Sequence, residues 1–558
     1  MRKVNASLPP RARGATAQAR VVVACGMWCG LVLACQAAGS EAIGGSPSGI
    51  SGSGGASSGP FGDAGMGGTP SVVPGQCVGN GYACMVPKCS DNVGTTVSGR
   101  VYDPAGRVPV YGALVYVPDQ PDLLGSIAQG PGNLCGRCVH PDGNPVAGAV
   151  SGPDGSFVIS QAPAGRQIPI VVQLGKWRRM TLVDITNPCG PNPIASPDLT
   201  RLPRSRSDGQ KASLPRIAIA AGAGDRVQCL LRRMGVDAGE FTNPDGLGSI
   251  NLYNQPAALG SDPAGRYDTG INGGVAFPDA TAFWSDINQL AKYDVVVLAC
   301  GGNSTATDPT RTIPNPITDA AKAAMVKYLS SGGRVLGEHY HAAWIRSYPA
   351  KSGQQNGLPV ASPLGADVAA WHAYVESADP SSSAVAAGST VPATVDTSFA
   401  KGRDFASWLV AAGVASATGI FPLKGDVKRT AIDQLSAAPS AQRWLYQPAS
   451  TADPQGTAAF THFLSFNLSS SGQPVDRRST DSNSPCGRFV YTGLHVDSAD
   501  TDAHASDLAD EGQKLLPFPT CCAQGDLNPQ EKAIEFMLLD LSSCLSPDAS
   551  AAAGGLVL

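Results

Sequence analysis

The chain has 558 residues, a net charge of −4 and only 15% charged side chains. At this length two or three domains are expected, because a single hydrophobic core stops growing well before this size. Nucleic acid is excluded as the main partner, since such a partner requires clustered Lys and Arg to neutralise phosphates and the sequence has no basic block.

The N-terminus is typical of an export signal. Five basic residues precede the uncharged run "VVVACGMWCGLVLA" at residues 21–34, which has the length of a signal-peptide core and is shorter than the roughly 20 residues of a membrane span. The run ends in "LVLAC", which resembles the lipobox of bacterial lipoproteins and implies a lipid on Cys35. We therefore predict a signal segment over 1–35 and an exported lipoprotein held at the outer membrane or cell surface by this lipid anchor. The alternative is an ordinary cleaved signal.

Cysteine usage agrees with export. Twelve cysteines follow Cys35, and an even number in an oxidising compartment predicts disulfides. "CGRC" at 135–138 could be a redox motif, but a redox pair opens a helix after a strand, which this Gly/Pro-rich context does not provide. We expect structural disulfides there. Cys300 in "LACGG" is expected to be buried or disulfide-bonded, and an unpaired thiol would revise that interpretation.

The first half of the chain divides by composition. Residues 36–75 have almost no large apolar side chains, so we predict a Gly/Ser-rich flexible tether. Over 76–202 short strand patterns alternate with Gly/Pro/Asp turns, which predicts a small antiparallel β-sandwich. The strand patterns are "TVSGRVYD", "YGALVYVPD", "GSFVISQ" and "IPIVVQL". Residues 203–214 are polar and bounded by proline, as in an interdomain linker.

The β-rich region resembles the carboxypeptidase regulatory-like domain, a transthyretin-like sandwich related to carbohydrate-binding-like folds. The resemblance covers about 95–175 and rests on "VSGRVYDPAGRVPVYGALVYV" and "AVSGPDGSFVISQAPAGRQIPIVV". A cysteine-bearing insertion at 119–148 departs from the family pattern. Such modules are commonly accessory or adhesive units, so the resemblance implies an envelope glycan or protein as partner and no catalytic residues.

Beyond residue 215 the pattern changes to alternating strands and helices. "RIAIAAG", "DVVVLACGG" and "RVLGEHYH" are apolar strand runs separated by helical patterns. In "ITDAAKAAMVKYLSSGG", Thr318 is the expected N-cap and Gly332 the expected end of the helix. This order predicts a doubly wound α/β domain over 215–545, with a crevice beyond the carboxyl ends of its strands. Residues 345–485 form an insertion of unassigned structure, and 546–558 a flexible tail.

The α/β pattern resembles the class I glutamine amidotransferase-like fold, which is flavodoxin-like, and within it the ThuA-like group. The match rests on "KYDVVVLACGG", "AAMVKYLSSGGRVLGEHYH" and "GRFVYTGLHVDSAD". It implies that His339 stands where amidotransferases carry their nucleophilic cysteine, with His495 and Asp497 in place of the distant histidine and acid. Because imidazole is a poor substitute for a thiolate, glutaminase chemistry is not expected.

The polar residues at these strand ends define the candidate site. The candidate catalytic residues are His339, His495, Glu338 and Asp497, since a histidine beside a carboxylate can act as a general base. A divalent metal is the one cofactor that the residue types suggest, with His341 and Asp500 as candidate ligands.

Two functions from different classes remain open. The first is an envelope binding protein whose α/β domain is not catalytic, and the second is a His-dependent hydrolase or sugar-processing enzyme, with or without a metal. We favour the first because the nucleophilic thiol is missing from the turn at His339 and because the acids of the motif are not all assigned. A catalytic site would require the rings of His339 and His495 to lie within roughly 8 Å, in a pocket open to solvent with a carboxylate in reach.

Overall fold

A computed structural model of the chain describes most residues between 77 and 545. The described residues are 77, 79–90, 94–132, 135, 140–259, 261–301, 317–345, 370–371, 390–424, 432–434, 440–447, 460–479, 485–494, 516–522 and 525–545. Within them the chain forms twenty strands and seven α-helices, so β-sheets dominate. Among these helices, none combines the length and hydropathy that a membrane span requires. The predicted signal segment, Cys35, the tether and the C-terminal tail lie outside the described residues.

Two sheets form the N-terminal β region, residues 77–213. The smaller contains β1 (Thr96–Arg100), β4 (Ser156–Ile159) and β7 (Pro191–Pro193). In this sheet β1 is central, antiparallel to β4 and parallel to β7. The larger contains β2 (Leu114–Pro118), β3 (Pro145–Val150), β5 (Gly165–Leu174), β6 (Trp177–Ile185) and β8 (Gln210–Ser213). It is antiparallel, in the order β3-β2-β5-β6-β8. The segment expected to be a linker therefore contributes a strand, β8, to this sheet.

Strand β2 is buried on both faces. Val115 and Val117 point into the largest hydrophobic cluster. Tyr116, on the opposite face, packs in a second cluster with Met180 and with Leu124. Because Leu124 belongs to the insertion at 119–148, this insertion covers the outer face of the sheet.

Beyond residue 213 the described residues form a ten-stranded sheet, a separate pair of strands and helices. The strands of the ten-stranded sheet are β9 (Ile217–Ala221), β10 (Phe241–Thr242), β11 (Ile250–Asn254), β12 (Val295–Leu298), β13 (Arg334–Glu338), β15 (Thr390–Val395), β16 (Ile420–Lys424), β18 (Ala441–Gln447), β19 (Phe460–Leu468) and β20 (Gly487–Thr492). The order is β10-β11-β9-β12-β13-β20-β19-β18-β15-β16, with parallel pairing from β10 to β20 and antiparallel pairing beyond. Strands of the unassigned region 345–485 thus extend the parallel sheet. A separate pair is β14 (Ala370–Trp371) with β17 (Ile432–Gln434).

Helices cover both faces of this sheet. The exception is α1 (Pro197–Thr200), which packs against β1 and β6 of the N-terminal β region. The other described helices are α2 (Val227–Arg233), α3 (Ala280–Trp284), α4 (Ile287–Leu290), α5 (Asp319–Ser330), α6 (Ala400–Ala411) and α7 (Pro529–Ser542). Ile217 and Ile219 of β9 pack in the cluster that contains α2, α6 and α7, whereas Ala218 packs in the cluster of α3, α4 and α5. The predicted start of α5 is confirmed, since the Thr318 hydroxyl accepts a hydrogen bond from the Ala321 backbone N–H at 3.2 Å.

Disulfides staple the described chain, as the cysteine count predicted. They are Cys77–Cys84, Cys89–Cys189, Cys135–Cys486 and Cys229–Cys522. Cys135 therefore has a structural role, and its bond joins the N-terminal β region to the ten-stranded sheet across 351 positions. Cys138 of the same motif lies outside the described residues. Several disulfides are compatible with export, because they persist in oxidising compartments.

The N-terminal β region packs directly on the ten-stranded sheet and its helices. The indole N–H of Trp408 in α6 donates to the carbonyl of Pro109 at 2.7 Å. Lys176 forms a buried ion pair with Asp294, at the amino end of β12. The described residues accordingly belong to one compact unit.

Candidate active site at the carboxyl edge of the parallel sheet

Three neighbouring parallel strands end at the same edge of the sheet. Leu298 of β12 pairs with Gly337 of β13, and Glu338 pairs with Thr492 of β20. In open parallel sheets, ligands bind beyond such carboxyl ends. The segments that follow these strands carry the residues predicted from the sequence.

Three of the predicted residues cannot be located at this edge. His495, Asp497 and Asp500 lie outside the described residues, because the described segment directly after β20 ends at Leu494. The predicted approach of the His339 and His495 rings therefore stays a prediction.

Cys300 is the residue that the sequence-based site lacked. It follows β12 and keeps a buried thiol, and its Sγ lies 3.4 Å from Nδ1 of His339. The sequence predicted a buried or disulfide-bonded cysteine here. Burial is confirmed, with exposed fractions of 0% for Cys300 and 3% for His339, but the neighbour is an imidazole. The sequence held one signal for the contact between Cys300 and His339, since "LACGG" and "GEHYH" both stand at the ends of strands of one sheet.

The backbone around Cys300 is fixed on both sides. Its N–H donates to Oε2 of Glu338 at 3.0 Å, and its carbonyl accepts hydrogen bonds from the backbone N–H groups of Gly224 and Asp225, each at 3.0 Å. A Cβ atom on Gly222 would lie 2.5 Å from this carbonyl oxygen, so only glycine fits there. The thiol is thereby presented from a preorganised turn.

His339 occupies a strained position directly after β13. Its φ angle is 31°, in the left-handed region that non-glycine residues rarely adopt. It also begins the 3₁₀ helix His339–Trp344. Its carbonyl accepts a hydrogen bond from the Tyr491 hydroxyl at 3.2 Å, which helps to hold this conformation. Strained residues at sharp strand-to-helix turns commonly present a reactive side chain.

Glu338 contacts the backbone of Cys300. The side chain is fully buried, and one carboxylate oxygen accepts the backbone N–H of Cys300. The contact is to the backbone that carries the thiol, which makes Glu338 a positioning residue for Cys300 in this arrangement.

His341 does not fit the metal-binding role predicted for it. Its Nδ1 accepts a hydrogen bond from the Trp344 indole at 3.0 Å, so Nε2 carries the proton and donates to the Ala299 carbonyl at 3.0 Å. Burial lowers its pKa to about 4, which keeps the ring neutral near pH 7. With both nitrogens engaged, no lone pair remains for a metal, and a structural role replaces the predicted one.

Among the described residues, one group has metal-ligating side chains close enough to share an ion. It consists of Cys229, Cys521 and Cys522. Two of these sulfurs are already joined to each other in a disulfide, so the group is not a thiolate site in this state. The described part of the carboxyl edge thus offers a thiol and an imidazole rather than a set of metal ligands.

The function of this edge has to be inferred from the chemistry of its residues. Comparisons of the chain with protein-family models, with curated proteins and with solved structures found no match.

Proposed function

We propose that the α/β region is a thiol-dependent hydrolase of amides or esters, in which Cys300 is the nucleophile and His339 is the base. The observation that carries this proposal is the 3.4 Å distance between Cys300 Sγ and His339 Nδ1. A nucleophile and a base in contact, with a third group fixing one of them, are the elements of covalent acyl transfer.

The proposed reaction has two balanced steps. Nδ1 of His339 takes the thiol proton, Sγ of Cys300 attacks the carbonyl carbon, and a thioester forms as the amine or alcohol leaves with that proton. Water then attacks the thioester, gives its proton back through His339 and releases the acid and the thiol. An isolated thiol has a pKa near 8.5, so an adjacent base is what makes the thiolate available near neutral pH.

The fold proposed for this region supports the same location. The order β11-β9-β12-β13-β20 corresponds to the 2-1-3-4-5 order of flavodoxin-like doubly wound sheets, which is the fold implied by the resemblance to amidotransferases. Likewise, the two N-terminal sheets share one hydrophobic cluster that includes Val97 and Val115, as the faces of a sandwich would.

The arrangement departs from the amidotransferase pattern in an instructive way. There the thiol comes from the turn that His339 occupies here. In this chain the thiol comes from the neighbouring strand β12, and the imidazole from the turn. The absence of a thiol was one of the two reasons to favour a non-catalytic domain, and Cys300 removes that one. His495 and Asp497 remain candidates for further groups at this edge.

Alkylation of Cys300 tests the proposal without knowledge of the substrate. The full chain is treated with iodoacetamide between pH 5.5 and 9, and Cys300 is followed by mass spectrometry. We expect a rate at pH 6.5 about 10-fold above that of an ordinary thiol, and we expect His339→Ala to remove this excess. With p-nitrophenyl acetate as a generic ester, Cys300→Ser should abolish turnover.

A matched histidine change controls this experiment. His140 is exposed, and His140→Ala should leave the alkylation profile unchanged. A Cys300 rate that follows an ordinary thiol profile, or one that is independent of His339, would overturn the proposal.

The burial of Cys300 and His339 favours a second candidate, because a reaction centre must admit its substrate. This candidate is the exported, lipid-anchored binding protein, with an envelope glycan or protein as ligand. Native Cys300 that resists alkylation, although it reacts after unfolding, would support it over the hydrolase.

A further inference from the structure

Three cysteine sulfurs lie close together where the start of α2 meets the segment before α7. Cys521 keeps a buried thiol, and its Sγ lies 4.0 Å from the sulfur of Cys229 and 3.9 Å from that of Cys522. The latter two form the disulfide Cys229–Cys522. A thiol within 4.0 Å of both sulfurs of a disulfide is close enough to exchange with it after a side-chain rotation.

Cys522 also lines an open cavity of about 630 Å³. Four arginines contribute to the walls of this cavity: Arg107, Arg204, Arg232 and Arg233. We refer to the cavity as the arginine groove. Three carboxylates offset part of this charge: Asp237 in the wall, Asp526 on Arg107 and Glu531 on Arg233. In a chain with a net charge of −4, this is a local concentration of cations suited to an anionic ligand.

We propose that Cys229, Cys521 and Cys522 form a thiol–disulfide exchange site that delivers the Cys522 thiolate to anionic disulfides bound in the arginine groove. Cys521, after losing its proton to solvent, attacks the sulfur of Cys229. The Cys229–Cys522 bond breaks, a Cys229–Cys521 bond forms, and the electron pair stays on Cys522. This step is an isomerisation and needs no oxidant or reductant.

The second step involves the molecule in the groove. The Cys522 thiolate attacks a small disulfide that carries carboxylates, a mixed disulfide forms on Cys522, and one anionic thiolate leaves. The arginine side chains of the groove attract the carboxylates of the ligand. The site is therefore a modification site whose availability depends on the exchange.

Burial controls the first step. It raises the pKa of the Cys521 thiol to about 11; the nearby Arg226 opposes this increase, and the carboxylates of Asp262 and Asp268 add to it. Cys521 is consequently protonated near pH 7, and its thiolate fraction increases about tenfold for each pH unit below that pKa. The exchange should therefore be slow at pH 7 and faster at pH 9. It replaces the buried thiol of Cys521 with a thiol on Cys522, in the arginine groove.

Alkylation with iodoacetate, an anion, and iodoacetamide, its neutral analogue, tests the proposal on the full chain. At pH 8.5 we expect the carboxymethyl group on Cys522, together with a Cys229–Cys521 disulfide, both located by peptide fragmentation. Relative to the same thiol in the unfolded chain, iodoacetate should be favoured over iodoacetamide by about threefold to tenfold. Arg204→Gln should reduce that preference.

Two cysteine variants decide the outcome. Cys521→Ser should keep Cys229–Cys522 and show no label on Cys522, since the thiol beside this disulfide is gone. Cys522→Ser should contain a Cys229–Cys521 disulfide. In the parent chain, the proposal is overturned by label on Cys521 alone, or by no label on Cys521 or Cys522 at pH 9 in the native state. In the variants, it is overturned by label on Cys522 in Cys521→Ser, or by free thiols at both Cys229 and Cys521 in Cys522→Ser.

Discussion

The two ends of the same parallel strands carry polar residues of different kinds. At the amino ends, Asp294 precedes β12, Arg334 begins β13, and Arg488 is the second residue of β20. At the carboxyl ends, Cys300, Glu338 and His339 follow β12 and β13 or end them. Each set is buried, so the difference lies in what the groups contact.

The amino ends are held by ion pairs. Asp294 binds Lys176 of the N-terminal β region and accepts the Arg216 backbone N–H at 2.7 Å. Asp540 of α7 binds Arg488 at 2.9 Å and Lys401 of α6 at 2.8 Å. Burial opposes the ionisation of Asp540, but these two cations outweigh it and hold its pKa below the usual value. These charges fasten neighbouring elements to the sheet.

The carboxyl ends have contacts of another type. A thiol meets an imidazole, a carboxylate accepts a backbone N–H, and a left-handed residue begins a helix. These contacts fix the geometry of a turn rather than fasten one element to another. Burial alone therefore does not separate structural groups from chemically reactive ones. Substitutions at the amino ends should lower the stability without changing the reactivity of Cys300. Substitutions at the carboxyl ends should change that reactivity directly.

The largest expected effect comes from Asp540→Ala. It leaves Arg488 and Lys401 buried without their carboxylate, which typically costs about 3–5 kcal/mol of unfolding free energy. Urea unfolding with the disulfides intact measures the loss. The alkylation rate of Cys300 in the folded variant should equal that of the parent.

Asp526→Ala is the matched control for this change. The Asp526 side chain pairs with Arg107 but is 81% exposed, so its removal should cost less than about 1 kcal/mol. An Asp540→Ala variant as stable as Asp526→Ala would show that the amino-end charges do not hold the fold.

The next effect is a dependence of stability on pH through His341. Its pKa is lowered from 6.5 to about 4 in the folded chain, so between these values the unfolded chain binds a proton that the folded chain does not. Its contribution to stability is full above pH 6.5 and is lost as the pH falls through about 4, with a total of roughly 3 kcal/mol. Urea unfolding at pH 7 and pH 4.5 measures this loss.

Carboxylates titrate in the same range, so the measurement compares variants. His341→Gln should lose less stability than the parent between the two pH values, and the exposed His140→Gln should behave like the parent. Equal losses in all three chains would mean that His341 is not held neutral by the fold.

Local patterns predicted the elements but not the contacts between them. Thr318 and Gly332 marked the ends of α5 because caps depend on neighbouring residues. The contact of Cys300 with His339 depends on the register of β12 against β13, which no local pattern contains. The same holds for Cys229 and Cys522, which are 293 positions apart. The strands within 345–485 were missed for this reason too, since they extend the sheet only through non-local antiparallel pairing.

The smallest effect is expected from Gly222→Ala, at the carboxyl edge. The added Cβ would lie 2.5 Å from the Cys300 carbonyl oxygen and 2.7 Å from Cα of Gly301, so the backbone that carries the thiol must move. Such overpacking typically costs about 1–3 kcal/mol. The displaced turn should also bring the alkylation of Cys300 at pH 6.5 towards the rate of an ordinary thiol.

Gly239→Ala provides the same substitution without the clash, because its Cβ would meet nothing within 4 Å. This variant should keep the parent stability and the parent rate at Cys300. The two outcomes at Gly222 separate the roles of the edge. Loss of stability with an unchanged Cys300 rate would mean that the reactivity does not depend on the 3.4 Å contact with His339, and the carboxyl end would then resemble the amino end in serving the fold alone.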